Sequence, residues 1–227
     1  MNIRSYLLAI VAMVASLVAS QLKAQLVESW ENTLDGWSVP PSYNLQNGSG
    51  QFGPITTGFD TSNGVTNGTY SLAITGTGTG GSNYGQVLAS PSTNAMTALL
   101  ANAQSLSLDV YTPGGSFGYY LQFDFDINNA DTGFQSLDAY SYPGTSIGSE
   151  TTFTVPISAS LRSTLSTSTN PTEIDIQIGG GNTTGNNTMY LDNLRLTPVP
   201  TPEPASLALL GLGGLGLLGM AMRRGRR

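Results

Sequence analysis

The sequence predicts an all-β fold, an antiparallel β-sandwich with a short helix, between two apolar ends. Short segments that alternate apolar and polar residues recur along the 227-residue chain, and stretches rich in Gly, Ser, Thr and Asn separate them. Strict alternation buries one face of a strand and exposes the other. Turn-rich separators between such strands are typical of antiparallel sandwiches.

The first 24 residues have the composition of a secretory signal peptide. Arg4 opens a short positive region, residues 7–18 are almost wholly apolar, and small residues permit cleavage after Ser20 or Ala24. The apolar core is too short to span a membrane. We therefore expect residues 1–24 to be removed and a single domain to occupy residues 25–197.

Nine segments of this domain alternate as strands do. Six are clear, at residues 70–75, 105–111, 117–127, 151–157, 173–178 and 189–196. Three are weaker, at residues 26–31, 84–88 and 134–140. Residues 93–103 place apolar side chains on one helical stripe, which predicts a helix, and residues 158–165 predict a further helical turn. We expect loops at the glycine-rich residues 75–82 and 179–187.

The C-terminal end combines a proline-rich linker, an apolar segment and a basic end, at residues 198–204, 205–222 and 223–227. A helix of eighteen residues is roughly 27 Å long, just enough to cross the hydrocarbon core of a thin bilayer. The sequence therefore predicts one C-terminal transmembrane helix. Its terminal arginines would stay in the cytoplasm, which leaves the domain outside.

This end resembles the PEP-CTERM sorting signal of bacteria, which consists of a Pro-Glu-Pro motif, a helical span and an Arg-rich end. The matching motif is Pro202, Glu203 and Pro204. The resemblance implies transient anchoring in the inner membrane, cleavage by an exosortase-type membrane protease, and delivery to the cell surface or an exopolysaccharide matrix. The alternative is an ordinary tail anchor behind a proline-rich stalk.

The composition of the domain excludes several functions. Residues 25–197 hold thirteen acidic and two basic residues, Arg162 and Arg195, a net charge of −11. Such a domain does not bind nucleic acid by neutralising phosphates. The chain has no Cys and no His, so it has no disulfide, no thiolate site and no Ser-His-Asp triad. A metal would be bound by oxygen ligands, which favours calcium.

Three strands carry candidate glycan ligands on their polar faces. In residues 105–111, Ser107, Asp109 and Tyr111 should face solvent, opposite the apolar residues of the strand. The polar faces of the other two strands carry Tyr120, Gln122, Asp124 and Asp126, and Glu173, Asp175 and Gln177. If the strands share one sheet, the sugar-binding candidates are Tyr111, Tyr120, Gln122, Asp124 and Gln177. The alternative is an ordinary solvated face of an antiparallel sheet.

Two carboxylates on this face also permit a comparison with glycosidases, which use a pair of carboxyl groups. Asp124 and Asp126 would lie about 7 Å apart by strand geometry. No stretch of the chain resembles a hydrolase signature, so we predict that the protein is not an enzyme. A degenerate polysaccharide-active enzyme remains an alternative.

Short motifs along the domain resemble the jelly roll of carbohydrate-binding modules. They are Trp30-Glu31 with Asp35-Gly36-Trp37, then Gly68-Thr-Tyr-Ser-Leu72, then residues 106–111 and finally Tyr190-Leu-Asp-Asn-Leu194. Trp30 stands where the family usually has Phe. The resemblance implies a jelly-roll fold for residues 25–197.

The same resemblance implies a structural calcium ion held by Glu31 and Asp192. By strand phase, Asp192 falls with Tyr190 and Leu194 and should point inward, and a buried carboxylate needs a partner. Glu28 is a competing ligand. The alternatives are that Asp192 pairs with Arg162 or Arg195, or that it caps a turn.

Together these features predict a non-catalytic, exported surface or exopolysaccharide-matrix protein that binds glycans. The alternative from another class is a structural or adhesive surface protein without sugar binding.

Overall fold

The computed structural model describes residues 24–39, 56–79, 82–113, 121–142, 147–181 and 184–200. Ala24–Pro198 form one compact unit. The predicted signal peptide, except its last residue, and residues 201–227 lie outside the described part. Within that part, no helix has both the length and the apolar character needed to cross a membrane.

Ten strands and two helices occur in the described residues. The strands are β1 (Gln25–Glu28), β2 (Thr56–Asp60), β3 (Ser71–Thr79), β4 (Ser82–Ala89), β5 (Ala103–Thr112), β6 (Leu121–Asn129), β7 (Gly133–Tyr142), β8 (Ile147–Pro156), β9 (Thr172–Gly181) and β10 (Thr184–Pro198). The helices are α1 (Asn94–Ala101) and α2 (Ala159–Thr167).

The strands form two antiparallel sheets, which confirms the predicted β-sandwich. The first contains six strands in the order β2-β3-β10-β5-β8, with β1 also paired to β10. The second contains four strands in the order β4-β9-β6-β7. A bridge between Ser38 and Ala89 extends this second sheet beyond β4.

A single hydrophobic core is built from the apolar faces of both sheets. Where the structure describes them, the predicted inward residues of three strands are buried: Leu106, Leu108 and Val110 on β5, Phe125 and Ile127 on β6, and Ile174 and Ile176 on β9. Trp30 and Trp37 join this core with their rings edge to face, 5.5 Å apart. Alternation therefore identified the buried side of these strands correctly.

Both helices begin at a capping hydroxyl. Thr93 accepts a hydrogen bond from the N–H of Met96 at 3.0 Å, and Ser158 accepts one from Leu161 at 3.2 Å. Such caps satisfy backbone donors that have no partner inside the helix. Leu100 of α1 and Leu165 of α2 are buried. The predicted helix is confirmed, and the predicted helical turn is a complete second helix.

Glycine-rich stretches predicted as loops belong largely to strands. β3 extends to Thr79, β9 extends to Gly181, and β10 begins at Thr184, which pairs with Thr79. Cross-strand pairing satisfies the backbone N–H and C=O groups there. These stretches have no alternating apolar residues, so nothing in their sequence indicated a strand. β2 was not predicted either.

The first strand ends at Glu28, earlier than predicted. The Glu28 carboxylate accepts hydrogen bonds from the N–H groups of Ser29 and Trp30 at 2.9 and 2.7 Å. Trp30 then adopts a positive φ of 49°, which ends the extended backbone.

The predicted phase of β10 is wrong at Asp192. Met189 and Leu191 point into the core, as do Leu194 and Leu196, so the inward phase changes between them. Asn193 has a φ of 54°, and the register with β5 shifts beside it. This β-bulge puts Asp192 on the outer side of the sheet. Asp192 is nevertheless buried.

Replacement of Gly64 by Ala should destabilise the domain more than replacement of Gly133. Both have a positive φ, 68° and 67°, so each substitution adds about 1 kcal/mol of backbone strain. A Cβ on Gly64 would lie 2.5 Å from the Cβ of Tyr190, whereas a Cβ on Gly133 meets nothing within 4 Å. The clash adds about 1–3 kcal/mol. Denaturant unfolding of both variants measures the difference, and equal losses would contradict this packing.

Candidate functional site

The strands predicted to share a polar face lie in different sheets. β5, which carries Tyr111, belongs to the six-stranded sheet, whereas β6 and β9 belong to the four-stranded sheet. The assumption of one shared sheet is therefore wrong. Alternation shows which side of a strand is buried, but it carries no information on which strand pairs with which.

The outer side of the six-stranded sheet is covered at Asp109, which the sequence predicted to be solvated. Only 6% of Asp109 is exposed. Its carboxylate accepts hydrogen bonds from the hydroxyl groups of Thr66 at 2.7 Å and Thr152 at 2.5 Å. It also accepts from the amide of Asn193 at 2.8 Å and the guanidinium of Arg195 at 3.1 Å.

These four donors decide the charge state of Asp109. Burial raises the pKa of this carboxyl, but the hydrogen bonds of Thr152, Thr66 and Asn193 and the charge of Arg195 outweigh burial and hold the pKa below its usual value. Asp109 is therefore a satisfied, ionised anchor for residues that lie over the sheet.

Asp192 anchors the same covering segment. Its Oδ2 accepts from the N–H groups of Thr66 and Asn67 at 2.6 and 2.7 Å, and its Oδ1 accepts from the N–H of Asn193 at 2.6 Å. Glu31 holds the next residues, since its carboxylate accepts from the N–H of Thr69 at 2.9 Å. We call the contacts of Asp109, Asp192 and Glu31 with residues 66–69 the loop clamp.

The carboxylates of the loop clamp accept hydrogen bonds from protein donors. Calcium is bound by six to eight oxygen atoms, whereas the oxygens of Asp192 face hydrogen-bond donors. Among the residues the structure describes, no three acidic side chains form a group that could hold a metal ion. The contacts favour the alternative that Asp192 caps a turn, and Arg195 pairs with Asp109. Calcium at Glu31 and Asp192 stays a prediction.

Tyr111 lies beside this covered region. Its ring stacks on Tyr190, with centroids 5.8 Å apart and planes at 27°. It is partly buried and is in a different sheet from Gln122, Asp124 and Gln177.

The four-stranded sheet brings three of the predicted positions together. Asp124 on β6 pairs with Gln177 on β9, and Gln122 pairs with Gly179. Asp124 is partly exposed and accepts hydrogen bonds from the hydroxyl of Ser136 on β7 at 2.9 and 3.0 Å. Tyr120 and the side chains of Gln122 and Gln177 lie outside the described part of the structure.

Sequence reasoning missed an exposed aromatic residue on this sheet. Phe134 on β7 is 54% exposed and pairs with Asn128 on β6, which pairs in turn with Glu173 on β9. Asn128 and Glu173 are partly exposed. We call the outer side of this sheet around Phe134, Asn128, Glu173, Asp124 and Ser136 the open face. An apolar residue in a strand is ordinarily assigned to the core, so alternation alone gave no signal for Phe134.

The middle of the open face holds two carboxyl groups that the sequence predicted to be solvated. Asp126 on β6 pairs with Asp175 on β9, and their exposures are 0% and 1%. Both oxygens of Asp126 and Oδ1 of Asp175 have no hydrogen-bond partner.

Burial is the main cause of the altered acidity of both groups. It raises the pKa of Asp126 to about 7, with a further contribution from the charge of Asp124. It raises the pKa of Asp175 to about 7 as well, with contributions from the charge and hydrogen bond of Glu173 and from the charge of Asp126.

Comparison with known proteins identifies the tail. A model of the PEP-CTERM protein-sorting motif matches residues 200–227, which include the predicted Pro202, Glu203 and Pro204. No curated protein matches the chain. The motif implies a secreted protein that is processed at the membrane by an exosortase-type enzyme.

Solved structures resemble the domain. A structure of carbohydrate-binding modules from the β-sandwich superfamily has a TM-score of 0.55 at 14% identity, covering 77% of this chain and 62% of that chain. The family 11 carbohydrate-binding module of a Clostridium thermocellum cellulase has a TM-score of 0.45 at 14% identity, covering 81% and 99%. A CBM22-1 xylan-binding domain from Paenibacillus barcinonensis has a TM-score of 0.46 at 12% identity, covering 80% and 97%.

At these identities the likeness shows the fold alone. It rests on the first structure, and this chain covers about three fifths of the length of that structure. The protein therefore combines a β-sandwich with the fold of carbohydrate-binding modules and, at residues 200–227, a PEP-CTERM protein-sorting motif.

Proposed function

We propose that this protein is a non-catalytic, glycan-binding component of the cell surface or of an exopolysaccharide matrix. Its export and processing follow from the sorting motif. The observation that carries the binding proposal is the row of Phe134, Asn128 and Glu173 across the open face.

The chemistry of this row suits a sugar. The exposed ring of Phe134 offers an apolar plane whose negative face attracts the C–H groups of a pyranose. Asn128 supplies amide donors and a carbonyl acceptor, and Glu173 supplies carboxylate acceptors, for the hydroxyl groups. Adjacent strands lie about 4.8 Å apart, so the three side chains span a width that suits consecutive sugar units.

Charge restricts the class of glycan. Glu173 belongs to the binding row and Asp124 lies on the same face, and residues 25–197 carry a net charge of −11. A polysaccharide rich in uronate or sulfate would be repelled by this face. We therefore propose that its ligands are neutral polysaccharides, such as those with unmodified hexose units.

Two alternatives remain. A structural or adhesive role needs no sugar at the open face. A degenerate polysaccharide-active enzyme would need two accessible carboxyl groups. Asp126, the partner that such a mechanism would pair with Asp124, is 0% exposed, which favours binding over catalysis.

A structural calcium ion at Glu31 and Asp192 is proposed from the family resemblance alone. If it is bound, a chelator should lower the melting temperature of the protein, and added calcium should restore it. Replacement of Asp192 by Asn should abolish that dependence. An unchanged melting temperature with chelator contradicts the calcium site and leaves the loop clamp held by hydrogen bonds.

Replacement of Phe134 by Ala should weaken polysaccharide binding about fivefold, because an aromatic contact contributes about 1 kcal/mol beyond its buried area. Affinity electrophoresis against a panel of neutral and acidic polysaccharides measures this loss. The matched control is Leu26→Ala, which removes an equally exposed apolar side chain (49%) from the other sheet.

Unchanged binding in the Phe134 variant would discard the open face as the site. A wild-type protein that binds no polysaccharide of the panel would support the structural role instead.

A further inference from the structure

Glycan binding does not explain why Asp126 and Asp175 are buried side by side in the middle of the open face. The two residues are in register on neighbouring central strands and are almost wholly buried. Three of their four carboxyl oxygens have no hydrogen-bond partner. An ionised carboxylate in such surroundings is strongly unfavourable unless a positive charge or hydrogen-bond donors compensate it.

No described side chain around the pair supplies that charge. By register, the neighbours on the same face are Asp124 on β6, Glu173 on β9, Ser136 on β7 and Ala89 on β4. Two are acidic and two are neutral.

The two arginines of residues 25–197 are engaged elsewhere. Arg195 forms an ion pair with Asp109 of the six-stranded sheet, and Arg162 donates to the carbonyl of Ile157. The hydroxyl of Ser136 lowers the pKa of Asp126 without offsetting burial. A compensating positive charge at the pair must come from outside these side chains, as a proton or a metal ion.

The surroundings favour the proton. A calcium ion needs six to eight oxygen ligands, and no three acidic side chains of the described residues form a group that could hold a metal. The backbones of β6 and β9 are paired with strands on both sides, so their carbonyl groups accept hydrogen bonds within the sheet. A proton needs only the two carboxyl groups.

We propose that Asp126 and Asp175 together hold a proton at neutral pH, which makes the stability of the sandwich and the charge of its open face sensitive to pH between about 5 and 8. The pKa of about 7 for each group agrees with this geometry. Because the two carboxyl groups interact, their protons are released in steps that belong to the pair.

The direction of the effect follows from proton linkage. Unfolded Asp has an ordinary value of 3.8, so between pH 4 and 7 the folded protein holds protons that the unfolded chain has released. Stability is then greatest at the acidic end of this window and falls as the pH rises through the folded pKa. At a pH above the folded pKa, the pair carries two negative charges in the middle of the open face, whereas at lower pH it is neutral or singly charged.

The melting temperature of the full chain, measured from pH 5 to pH 8 with a chelator present, tests this proposal. The wild-type value should fall by roughly 5 °C. Asp126→Asn and Asp175→Asn should each flatten the fall and melt higher than wild type at pH 8. The control Asp131→Asn, at an exposed turn position, should keep the wild-type slope.

The difference between variant and wild type is the readout, because burial also raises the pKa of Asp192 and adds to the wild-type slope. Equal slopes in all four proteins would overturn the proposal. Stabilisation by calcium at pH 8 that disappears in Asp126→Asn would overturn it in favour of a metal site at the pair.

A wild-type measurement covers the case in which the Asn variants fail to fold. Infrared spectra should show a protonated carboxyl band that disappears as the pH rises from 6 to 8. Its absence at pH 6 would overturn the proposal. Neither the melting experiment nor the infrared experiment involves a sugar. Both therefore test the proton proposal even if the protein binds no glycan. An effect of pH on binding strength, by contrast, rests on the proposed function.

Discussion

The contacts of Thr66 with Asp109 and Asp192 hold a covering segment on the outer side of the six-stranded sheet. Its hydroxyl donates to Asp109 and its N–H to Asp192, two carboxylates that are in register on neighbouring strands. The contacts keep residues 66–69 on the outer side of the six-stranded sheet. Asp109 and Asp192 are buried there, and the four-stranded sheet presents the polar surface with an exposed aromatic ring.

The buried carboxyl groups of this sandwich differ in their acidity. Asp109 is surrounded by hydrogen-bond donors and a guanidinium, and its pKa is lowered. Asp126 and Asp175 have no guanidinium partner among the described residues, the hydroxyl of Ser136 lowers the pKa of Asp126 without offsetting burial, and both pKa values are raised. Asp192 accepts three backbone hydrogen bonds, but burial still raises its pKa. Burial acts on all four groups in the same direction, so the sign depends on whether hydrogen bonds and charge together outweigh it. A chain with only two basic residues between 25 and 197 cannot compensate every buried acid.

Much of the fold could be predicted from the sequence, but the arrangement of the site could not. Alternation identified the core face of β5, β6 and β9, and the apolar stripe over residues 93–103 predicted α1. Alternation is a local property, so it could not separate β5 from the other two strands. It also could not reveal the bulge at Asn193, which reverses the phase of Asp192, or the long-range contacts that bury Asp109. The exposed ring of Phe134 contradicts the usual preference of such residues for the core.

We propose that the open face of the four-stranded sheet binds a neutral glycan. Amide chemical shifts of the isotope-labelled protein, followed while neutral oligosaccharides are added, test this proposal. We expect the largest changes at Asn128, Phe134, Gln135 and Glu173, and we expect these changes to saturate with the ligand. Changes centred on residues 60–69 and Tyr111, or no saturable change with any oligosaccharide, would contradict it.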